Sequence, residues 1–268
     1  MSEPWQSVRT MIERTATAKG RASSGYFSIE GTRLHERAIR ASAWPTAVLI
    51  ADSMWQKPGE RETAVLHQLA QQNIPIHPIP NAEMERLTQG RRLGGLLGLL
   101  PLPKPLNLAN WLAAHSAPTL LVAVGVVDPG NVGGLIRTAH ALGADLFVAA
   151  GGSDPYHPRA VRTSMGSIFK LPLVTTTLPE LFATLRTTSI QTIGTVAEGG
   201  IALPNVAQGL RGTAVFMGSE YFGLPNELID QLDILVTIPM SSGIDSFSVN
   251  AAAAIVLYEL KRSSERKS

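Results

Sequence analysis

Three glycine- and polar-rich segments hold the residues of this 268-residue chain whose types and spacing suit chemistry. Each segment follows an apolar run typical of a buried strand. Parallel α/β sheets bind ligands beyond the carboxyl ends of their strands, so we expect the three segments to converge on one pocket. The segments are VVDPGNVGGLIRTAHALGAD (126–145), VFMGSEYFGLPNE (215–227) and IPMSSGIDSFSVNAAAA (238–254).

Taken alone, the first segment also fits an ordinary structural interpretation. Gly130, Gly133 and Gly134 would serve equally well in a tight turn between a strand and a helix. The chain has neither the GxGxxG pattern of dinucleotide sites nor the GxxxxGK[ST] pattern of phosphate-binding loops. A nucleotide-binding oxidoreductase is therefore disfavoured.

The composition excludes several other classes of protein. No cysteine is present, which excludes disulfide scaffolds, thiolate nucleophiles and cysteine-ligated metal sites. The six histidines never fall in an HExxH spacing, so we expect no metal centre. The first residues lack a signal-peptide pattern, and the longest apolar run, 93–102, is about half of the ~20 residues that a membrane helix needs. We expect a soluble, cytoplasmic protein without a membrane segment.

Charge is unevenly distributed along the chain. Residues 1–104 carry 13 Lys and Arg against 9 Asp and Glu, whereas residues 105–268 carry 10 against 12. The excess of positive charge in residues 1–104 suits binding of a polyanion such as RNA, because contacts with phosphates release condensed counterions. A solvated helix face would account for the same charge equally well.

Prolines divide the chain into two parts. Pro101, Pro103 and Pro105 cannot lie inside a helix or a central strand, so this stretch is interpreted as an extended connector. We predict an N-terminal helical arm (1–20), a small α/β domain (21–100), a linker (101–118) and a second domain (119–268). In the first part, the predicted helices are 4–19, 32–41 and 62–72, and the predicted strands are 26–30, 47–51, 74–79 and 93–100.

Strands and helices alternate in the second part, which predicts a parallel sheet covered on both faces. The apolar strand-like runs are 120–127, 146–150, 191–196, 214–217 and 234–238. The helical stretches are 132–142, 178–187, 226–231 and 248–262.

The motifs are more specific in combination than singly. Residues 128–139, then 218–220 with Gly223, then 238–240 with 246–249, resemble the three ordered motifs of the SpoU (TrmH-like) RNA methyltransferases of the SPOUT superfamily. Residues 159–166 resemble the stretch between the family's first and second motifs. Residues 27–31 resemble the opening of its N-terminal substrate-binding domain. The resemblance covers nearly the whole chain after about residue 20.

This resemblance implies an α/β fold in which a small domain similar to a ribosomal protein precedes a SPOUT parallel-sheet domain tied in a deep trefoil knot. It implies S-adenosylmethionine bound within the knot, methylation of a ribose 2'-hydroxyl in RNA, and a homodimer with the active site near its interface. Ribosomal RNA is favoured over transfer RNA, because the front domain resembles those common among ribosomal RNA enzymes.

The resemblance also assigns catalytic residues. Asn131 and Arg137 match the first motif's asparagine and catalytic arginine, and Glu220 matches the acidic residue of the second. Because a guanidinium normally stays protonated, we expect Arg137 to clamp a phosphate rather than to act as a general base. Ser246 and Ser248 of the third motif complete the catalytic set.

Contacts to the cofactor and to RNA are the remaining assignments. The resemblance implies that backbone groups hold the cofactor, with apolar side chains beside them. The cofactor residues are Gly218, Ile238 and Phe247, with Met240 and Val249 as apolar neighbours and Thr195 as a further candidate. The basic residues expected to contact RNA are Arg9, Lys19, Arg21, Arg33 and Arg162.

Two positions depart from the family pattern. The usual Ser-Leu-Asn-Val-Ser reads SFSVN at 246–250, so that Ser248 replaces the asparagine and Asn250 appears two positions later. The glycine usual after the glutamate is Tyr221, whose ring would narrow the pocket or stack on an unpaired base. These departures keep open a catalytically silent RNA-binding or assembly protein, although most motif residues are retained.

Overall fold

The computed structural model describes residues 4–91, 95–206 and 212–265. The chain forms two compact units, which we call the first unit (Met1–Lys104 with Tyr156–Phe169) and the second unit (Pro105–Pro155 with Lys170–Ser268). Residues 93 and 94 of a predicted strand and the last three residues lie outside the described residues. The predicted domain bounds stay a prediction.

The first part of the chain contains the predicted strands and helices and two helices that were not predicted, at 52–56 and 81–88. They are α1 (Pro4–Arg14), α2 (Ala18–Ser24), β1 (Tyr26–Glu30), α3 (Thr32–Arg40), β2 (Ala47–Ala51), α4 (Asp52–Gln56), α5 (Glu60–Gln71), β3 (Ile76–Ile79), α6 (Asn81–Thr88) and β4 (Leu96–Pro101). The helix predicted over 4–19 is two helices, because Thr17 is extended and caps α2, its Oγ1 accepting from the Gly20 N–H at 3.0 Å.

The remaining elements begin within the stretch predicted as a linker, which holds the helix α7. They are α7 (Leu108–Ala113), β5 (Thr119–Val124), α8 (Pro129–Leu142), β6 (Leu146–Ala150), α9 (Pro158–Thr163), β7 (Leu173–Thr176), α10 (Leu178–Leu185), β8 (Gln191–Thr195), β9 (Ile201–Ala202), β10 (Thr213–Met217), α11 (Asn226–Ile229), β11 (Ile234–Thr237) and α12 (Val249–Glu265). Of these, α9 belongs to the first unit.

The first unit is built on a four-stranded sheet in the order β1-β4-β2-β3. The strand β4 runs antiparallel to both of its neighbours, and β2 pairs in parallel with β3. Every residue of β2 is buried, as its apolar sequence predicts. The helix α1 contributes Ile12 to the core cluster that holds Leu49 and Leu97, so the predicted N-terminal arm is packed into this unit.

The second unit contains a seven-stranded sheet in the order β7-β6-β5-β10-β8-β11-β9. All of its strand pairs are parallel, which confirms the predicted sheet. The strands β6 and β10 are buried along their whole length. Because the strands are parallel, the segments that follow β5, β8, β10 and β11 leave the sheet at one edge, where the three motifs meet. The knot implied by the resemblance stays a prediction.

Candidate active site

A cavity of about 480 Å³ lies in the second unit beyond the carboxyl ends of β8, β10 and β11. Its volume falls within the range of about 300–1,000 Å³ that is usual for small-molecule and cofactor sites. The wall consists of residues 195–197, 217–224, Asn226, Ile229, Ile238, Met240, Ser246, Phe247, Val249 and Ala252.

All residues that were predicted to contact a cofactor lie in this wall. They come from four segments: the end of β8, the segment after β10, the segment after β11 and the start of α12. The residues are Thr195, Gly218, Ile238, Met240, Phe247 and Val249. The structure thus brings them together, while their contact with a cofactor stays a prediction.

Hydrogen bonds across the sheet fix the positions of two of these segments. Thr195 Oγ1 donates to the Phe216 carbonyl at 2.7 Å and contacts Met217 Sδ at 3.0 Å. The end of β8 is thereby tied to the end of β10, from which Gly218 follows. This tie satisfies the Thr195 hydroxyl within the sheet.

The segment after β10 is a tight loop closed by two backbone hydrogen bonds. The Gly223 N–H donates to the Ser219 carbonyl at 2.9 Å, and the Ser219 N–H donates to the Gly223 carbonyl at 3.2 Å. A Cβ at Gly218 would lie 2.1 Å from the Gly223 carbonyl carbon, so no side chain fits there. Gly223 adopts φ of 64°, the left-handed region that favours glycine.

A cluster of three polar side chains, which we call the Asn131 cluster, lies beside the cavity and consists of Asn131, Glu220 and Asn250. Asn131 stands in the first turn of α8, where its N–H donates to the capping Asp128 Oδ1 at 2.9 Å. The Asn131 amide Nδ2 donates to Glu220 Oε1. Its Oδ1 accepts from Asn250 Nδ2 at 3.1 Å.

Two buried oxygens of the Asn131 cluster are left without a donor. Glu220 Oε2 and Asn250 Oδ1 accept no hydrogen bond from any of the described residues. A buried acceptor without a partner costs about 1–3 kcal/mol. Glu220 also lies in the cavity wall, so the carboxylate with the unpaired oxygen belongs both to the cluster and to the cavity.

The other predicted catalytic residues are divided between the cavity and the surface. Ser246 lies in the cavity wall. Arg137 is exposed on α8, and six residues of helix turn it about 120° away from the face that carries Asn131. Ser248 is also exposed, and its Oγ accepts from the Ala251 N–H at 3.4 Å at the start of α12. Among the described residues, the cavity wall includes neither Arg137 nor Ser248.

Asn250 is the residue of this site that the sequence interpretation left aside. A helix was predicted over 248–262, and α12 begins at Val249, so Asn250 stands in the first turn of that helix. The signal in the sequence was the asparagine displaced by two positions in the third motif. Its contact with Asn131 depends on where the helix begins, which the motif alone does not determine.

Two adjacent aromatic rings project from the loop after β10. Tyr221 is 85% exposed and Phe222 is 90% exposed, although both line the cavity. The Phe222 N–H donates to Ser219 Oγ at 3.3 Å, which adds to the backbone bonds that fix this loop. The rings therefore form a rigid, exposed apolar edge at the mouth of the cavity.

The basic residues predicted to contact RNA all belong to the first unit. Lys19 and Arg33 are exposed. Arg9 Nη1 donates to Glu83 Oε1 and Arg162 Nη1 donates to Glu30 Oε2, both at 3.2 Å, while each side chain stays partly exposed. Burial lowers the pKa of the Arg162 guanidinium, and the Glu30 carboxylate opposes this change. Contact of these four residues with RNA stays a prediction.

Arg21 requires a correction. Its side chain is only 2% exposed, and Nη1 donates to the Thr15 carbonyl at 2.7 Å inside the first unit. A guanidinium enclosed in this way ties α2 to the end of α1 and offers no surface to RNA. The RNA contact that the basic sequence pattern predicted for Arg21 is therefore wrong.

In the stretches that the structure describes, no three His, Asp or Glu side chains lie together as a metal site would need. No helix of those stretches is both long and apolar enough to span a bilayer.

Comparison with known proteins gives one family. The profile of the SpoU rRNA Methylase family matches residues 118–258. The chain is 27% identical to the 23S rRNA (guanosine(2553)-2'-O)-methyltransferase RlmP of Bacillus subtilis, over 96% of this chain and 94% of that protein. It is 30% identical to the 23S rRNA (guanosine-2'-O-)-methyltransferase RlmB of Vibrio parahaemolyticus, over 76% of this chain and 84% of that protein.

Solved structures share the fold over nearly the full chain. A crystal structure described as an RNA 2'-O ribose methyltransferase superposes with a TM-score of 0.80 at 26% identity, covering 96% of both chains. An AdoMet-bound rRNA methyltransferase from Sinorhizobium meliloti superposes with a TM-score of 0.82 at 22% identity, covering 98% of this chain and 97% of that one.

Proposed function

The chain belongs to the SpoU rRNA methylase family, and from that premise we propose that it is an S-adenosylmethionine-dependent methyltransferase of ribose 2'-hydroxyl groups in ribosomal RNA. One observation carries the proposal. The residues expected to contact the cofactor share one cavity, and Glu220 in its wall is hydrogen-bonded to Asn131 of the first motif. The printed names of the RlmP and RlmB relatives support ribosomal RNA as the substrate class.

The cavity suits S-adenosylmethionine in its chemistry as well as in its volume. The residues Ile238, Met240 and Val249 contribute apolar groups to its wall, and Gly218 contributes backbone without a side chain. Glu220 Oε2 is a buried acceptor that lacks a donor among the described residues. When bound, S-adenosylmethionine supplies a methyl group that its sulfonium has already activated.

The chain must then orient the ribose and assist the loss of the hydroxyl proton. Asn131 holds one oxygen of Glu220, and the other oxygen has no donor among the described residues. Arg137 is exposed, and its guanidinium stays protonated, so it suits a phosphate of the RNA rather than the hydroxyl proton. A bidentate clamp on that phosphate fixes the sugar, and such positioning lowers the barrier to transfer. The proposal includes no metal, because the methyl group needs no further activation.

The proposal includes a homodimer formed through α12. An apolar groove of about 440 Å³ lies along this helix, and Tyr258 in its wall is exposed. An apolar groove beside an exposed aromatic side chain gives a second copy of the chain a surface to pack against. Ile238 lines both the groove and the cavity, so a second copy seated there would lie next to the cavity.

The first unit is the part of the chain that we assign to RNA selection. Its exposed Lys19 and Arg33 and its partly exposed Arg9 and Arg162 supply the positive charge that phosphates require. Ribosomal RNA as the substrate also locates the reaction in the cytoplasm. Single-stranded loops, in which riboses are accessible, are the sites that this chemistry favours.

Methyl transfer from tritiated S-adenosylmethionine tests the proposal. We expect the purified protein to label unmodified ribosomal RNA and to leave transfer RNA unlabelled. Label in transfer RNA alone would retain the chemistry and overturn the substrate. Cofactor and RNA binding without label in either would favour the catalytically silent RNA-binding protein.

A further inference from the structure

The amide of Asn131 has a defined orientation because its two neighbours differ in chemistry. An ionised Glu220 carboxylate only accepts hydrogen bonds, so the Asn131 amide must turn its Nδ2 toward it. Asn131 Oδ1 then faces Asn250, whose Nδ2 donates to it at 3.1 Å. Turning the amide over would set two acceptors, Asn131 Oδ1 and the carboxylate, against each other.

Space for Asn250 depends on a glycine in α8. A Cβ at Gly134 would lie 2.5 Å from Asn250 Oδ1 and 2.9 Å from its Cγ. Distances this short do not occur in folded proteins, so any residue other than glycine at 134 would displace the Asn250 side chain. The helix α8 thus contributes both Asn131, which receives the hydrogen bond, and the gap through which Asn250 reaches it.

Ser248 occupies the position of the motif's asparagine but performs a different task. Its hydroxyl accepts from the Ala251 N–H, and its carbonyl accepts from the Ala252 N–H at 2.9 Å, as expected of a residue that caps a helix. The side chain is exposed. The capping function and the polar contact are therefore separated between positions 248 and 250 in this chain.

We infer that Asn250 is a positioning residue for the methyl-transfer reaction. It donates to Asn131, selects the orientation of that amide, and through it holds the Glu220 carboxylate at the cavity wall. The inference rests on the proposed function and deepens it by assigning to Asn250 a role that the motif would give to Ser248.

The substitution Asn250→Asp gives the sharpest test, because aspartate is nearly isosteric but, when ionised, cannot donate. The ionised carboxylate would meet Asn131 Oδ1 or would force the Asn131 amide to turn over against Glu220. Protonation of the introduced carboxyl restores a donor. We therefore expect kcat of this variant to be low above the pKa of the introduced carboxyl and to recover, relative to the parent, as the pH falls through it.

Kinetics of the full chain separate positioning from general stability. For Asn250→Ala we expect kcat to fall on the order of tenfold or more, with the Kd for S-adenosylmethionine and the KM for RNA changed less than about threefold. Thr177→Ala, which removes the side-chain cap of α10 outside the cavity wall, is the matched control, for which we expect a lower Tm and a nearly unchanged kcat. Gly134→Ala is expected to reproduce the loss, and combining it with Asn250→Ala is expected to add little.

A measurement that does not depend on activity separates the positioning role of Asn250 from the proposed function. In protein labelled with ¹⁵N-asparagine, we expect the NMR signal of the Asn131 side-chain amide to shift in Asn250→Ala and its protons to exchange faster with solvent. In Asn250→Ser we expect the same changes if the shorter hydroxyl does not reach Asn131 Oδ1. Thr177→Ala should leave the Asn131 signal unchanged. An inactive parent with these amide shifts would overturn the proposed function and leave the positioning contact intact. An active Asn250→Ala with parental kcat, or an unshifted Asn131 amide, would overturn the inference.

Discussion

The side chains of Asn131 and Glu220, which are 89 positions apart in the sequence, are joined by a hydrogen bond from Nδ2 to Oε1. Asn131 follows β5 and Glu220 follows β10, and these two strands are parallel neighbours in the sheet. Residues that leave neighbouring parallel strands at their carboxyl ends meet at one edge. The first and second motifs therefore form a single polar site, which borders the cavity.

Removal of the Arg137 guanidinium tests the proposal that this side chain binds a phosphate of the RNA. We predict that Arg137→Ala abolishes methyl transfer and changes the Kd for S-adenosylmethionine less than about twofold, because this side chain is exposed outside the cavity wall. Calorimetric titration with the cofactor and labelling of RNA measure the two quantities. Arg137→Lys, which keeps the charge but loses the bidentate geometry, should recover only part of the rate. Unchanged turnover in Arg137→Ala would refute the assigned role.

The backbone at Gly218 is predicted to be essential for binding the cofactor. In Gly218→Ala the new Cβ would lie 2.1 Å from the Gly223 carbonyl carbon, so the loop after β10 must shift. We expect the Kd for S-adenosylmethionine to rise on the order of tenfold or more, since a 1 Å displacement in such a site has effects of that size. Ser242→Ala, in the exposed segment after β11, serves as the control. An unaltered Kd in Gly218→Ala would show that the cofactor does not bind against this loop.

The exposed rings of Tyr221 and Phe222 are predicted to stack on an unpaired base of the RNA. Stacking of a base on an aromatic ring contributes about 1–3 kcal/mol. We expect Tyr221→Ala and Phe222→Ala to raise the KM for RNA on the order of tenfold, with Tm unchanged because both rings are almost fully exposed. Tyr221→Phe, which keeps a ring, should bind RNA like the parent. Both alanine variants could instead retain the parental KM for RNA and be monomeric in solution where the parent is a dimer. In that case the rings belong to a subunit interface.

The stability of the first unit is predicted to depend on the protonation of His35. Burial lowers the pKa of His35 from 6.5 to about 4, although the hydrogen bond of Nδ1 with the Gly31 carbonyl opposes this change. Between these values the unfolded chain takes up a proton that the folded chain does not. The free energy of unfolding therefore decreases as the pH falls from about 6.5 toward 4, by about 3 kcal/mol at most.

Denaturant unfolding at several pH values measures this dependence. In His35→Asn, whose amide can still donate to the Gly31 carbonyl, we expect a smaller decrease over this pH window, leaving the part due to carboxylates such as Glu83, whose pKa the hydrogen bond from Arg86 lowers. A parent whose stability is constant between pH 6.5 and 4, or a variant with the same slope as the parent, would contradict the assignment.

Much of the fold follows from local apolar patterns, and the exceptions have local causes. The strands β1, β2 and β6 have the predicted bounds, because each is a short apolar run between turn residues. The strand β7 was missed, since its sequence LVTT is short and half polar. The predicted helix over 4–19 is interrupted because Thr17 favours a cap over a helical interior.

Some features of the site could be predicted from the sequence, and others could not. Strand order brings the motifs to one sheet edge, so the cavity wall follows from the motifs alone. The contact of Asn250 with Asn131 does not, because it depends on the first residue of α12 and on the missing side chain of Gly134. The burial of Arg21 depends likewise on tertiary packing, which a basic pattern does not reveal.

The central claim is that this chain methylates a ribose 2'-oxygen, and the nature of the product tests it most directly. Ribosomal RNA labelled by the purified protein with tritiated S-adenosylmethionine is hydrolysed in alkali, and the labelled fragments are identified by chromatography and mass spectrometry. We predict that the label is found in alkali-resistant dinucleotides, because a 2'-O-methyl group blocks cleavage of the adjacent phosphodiester. Label recovered in mononucleotides carrying a methylated base would contradict the account.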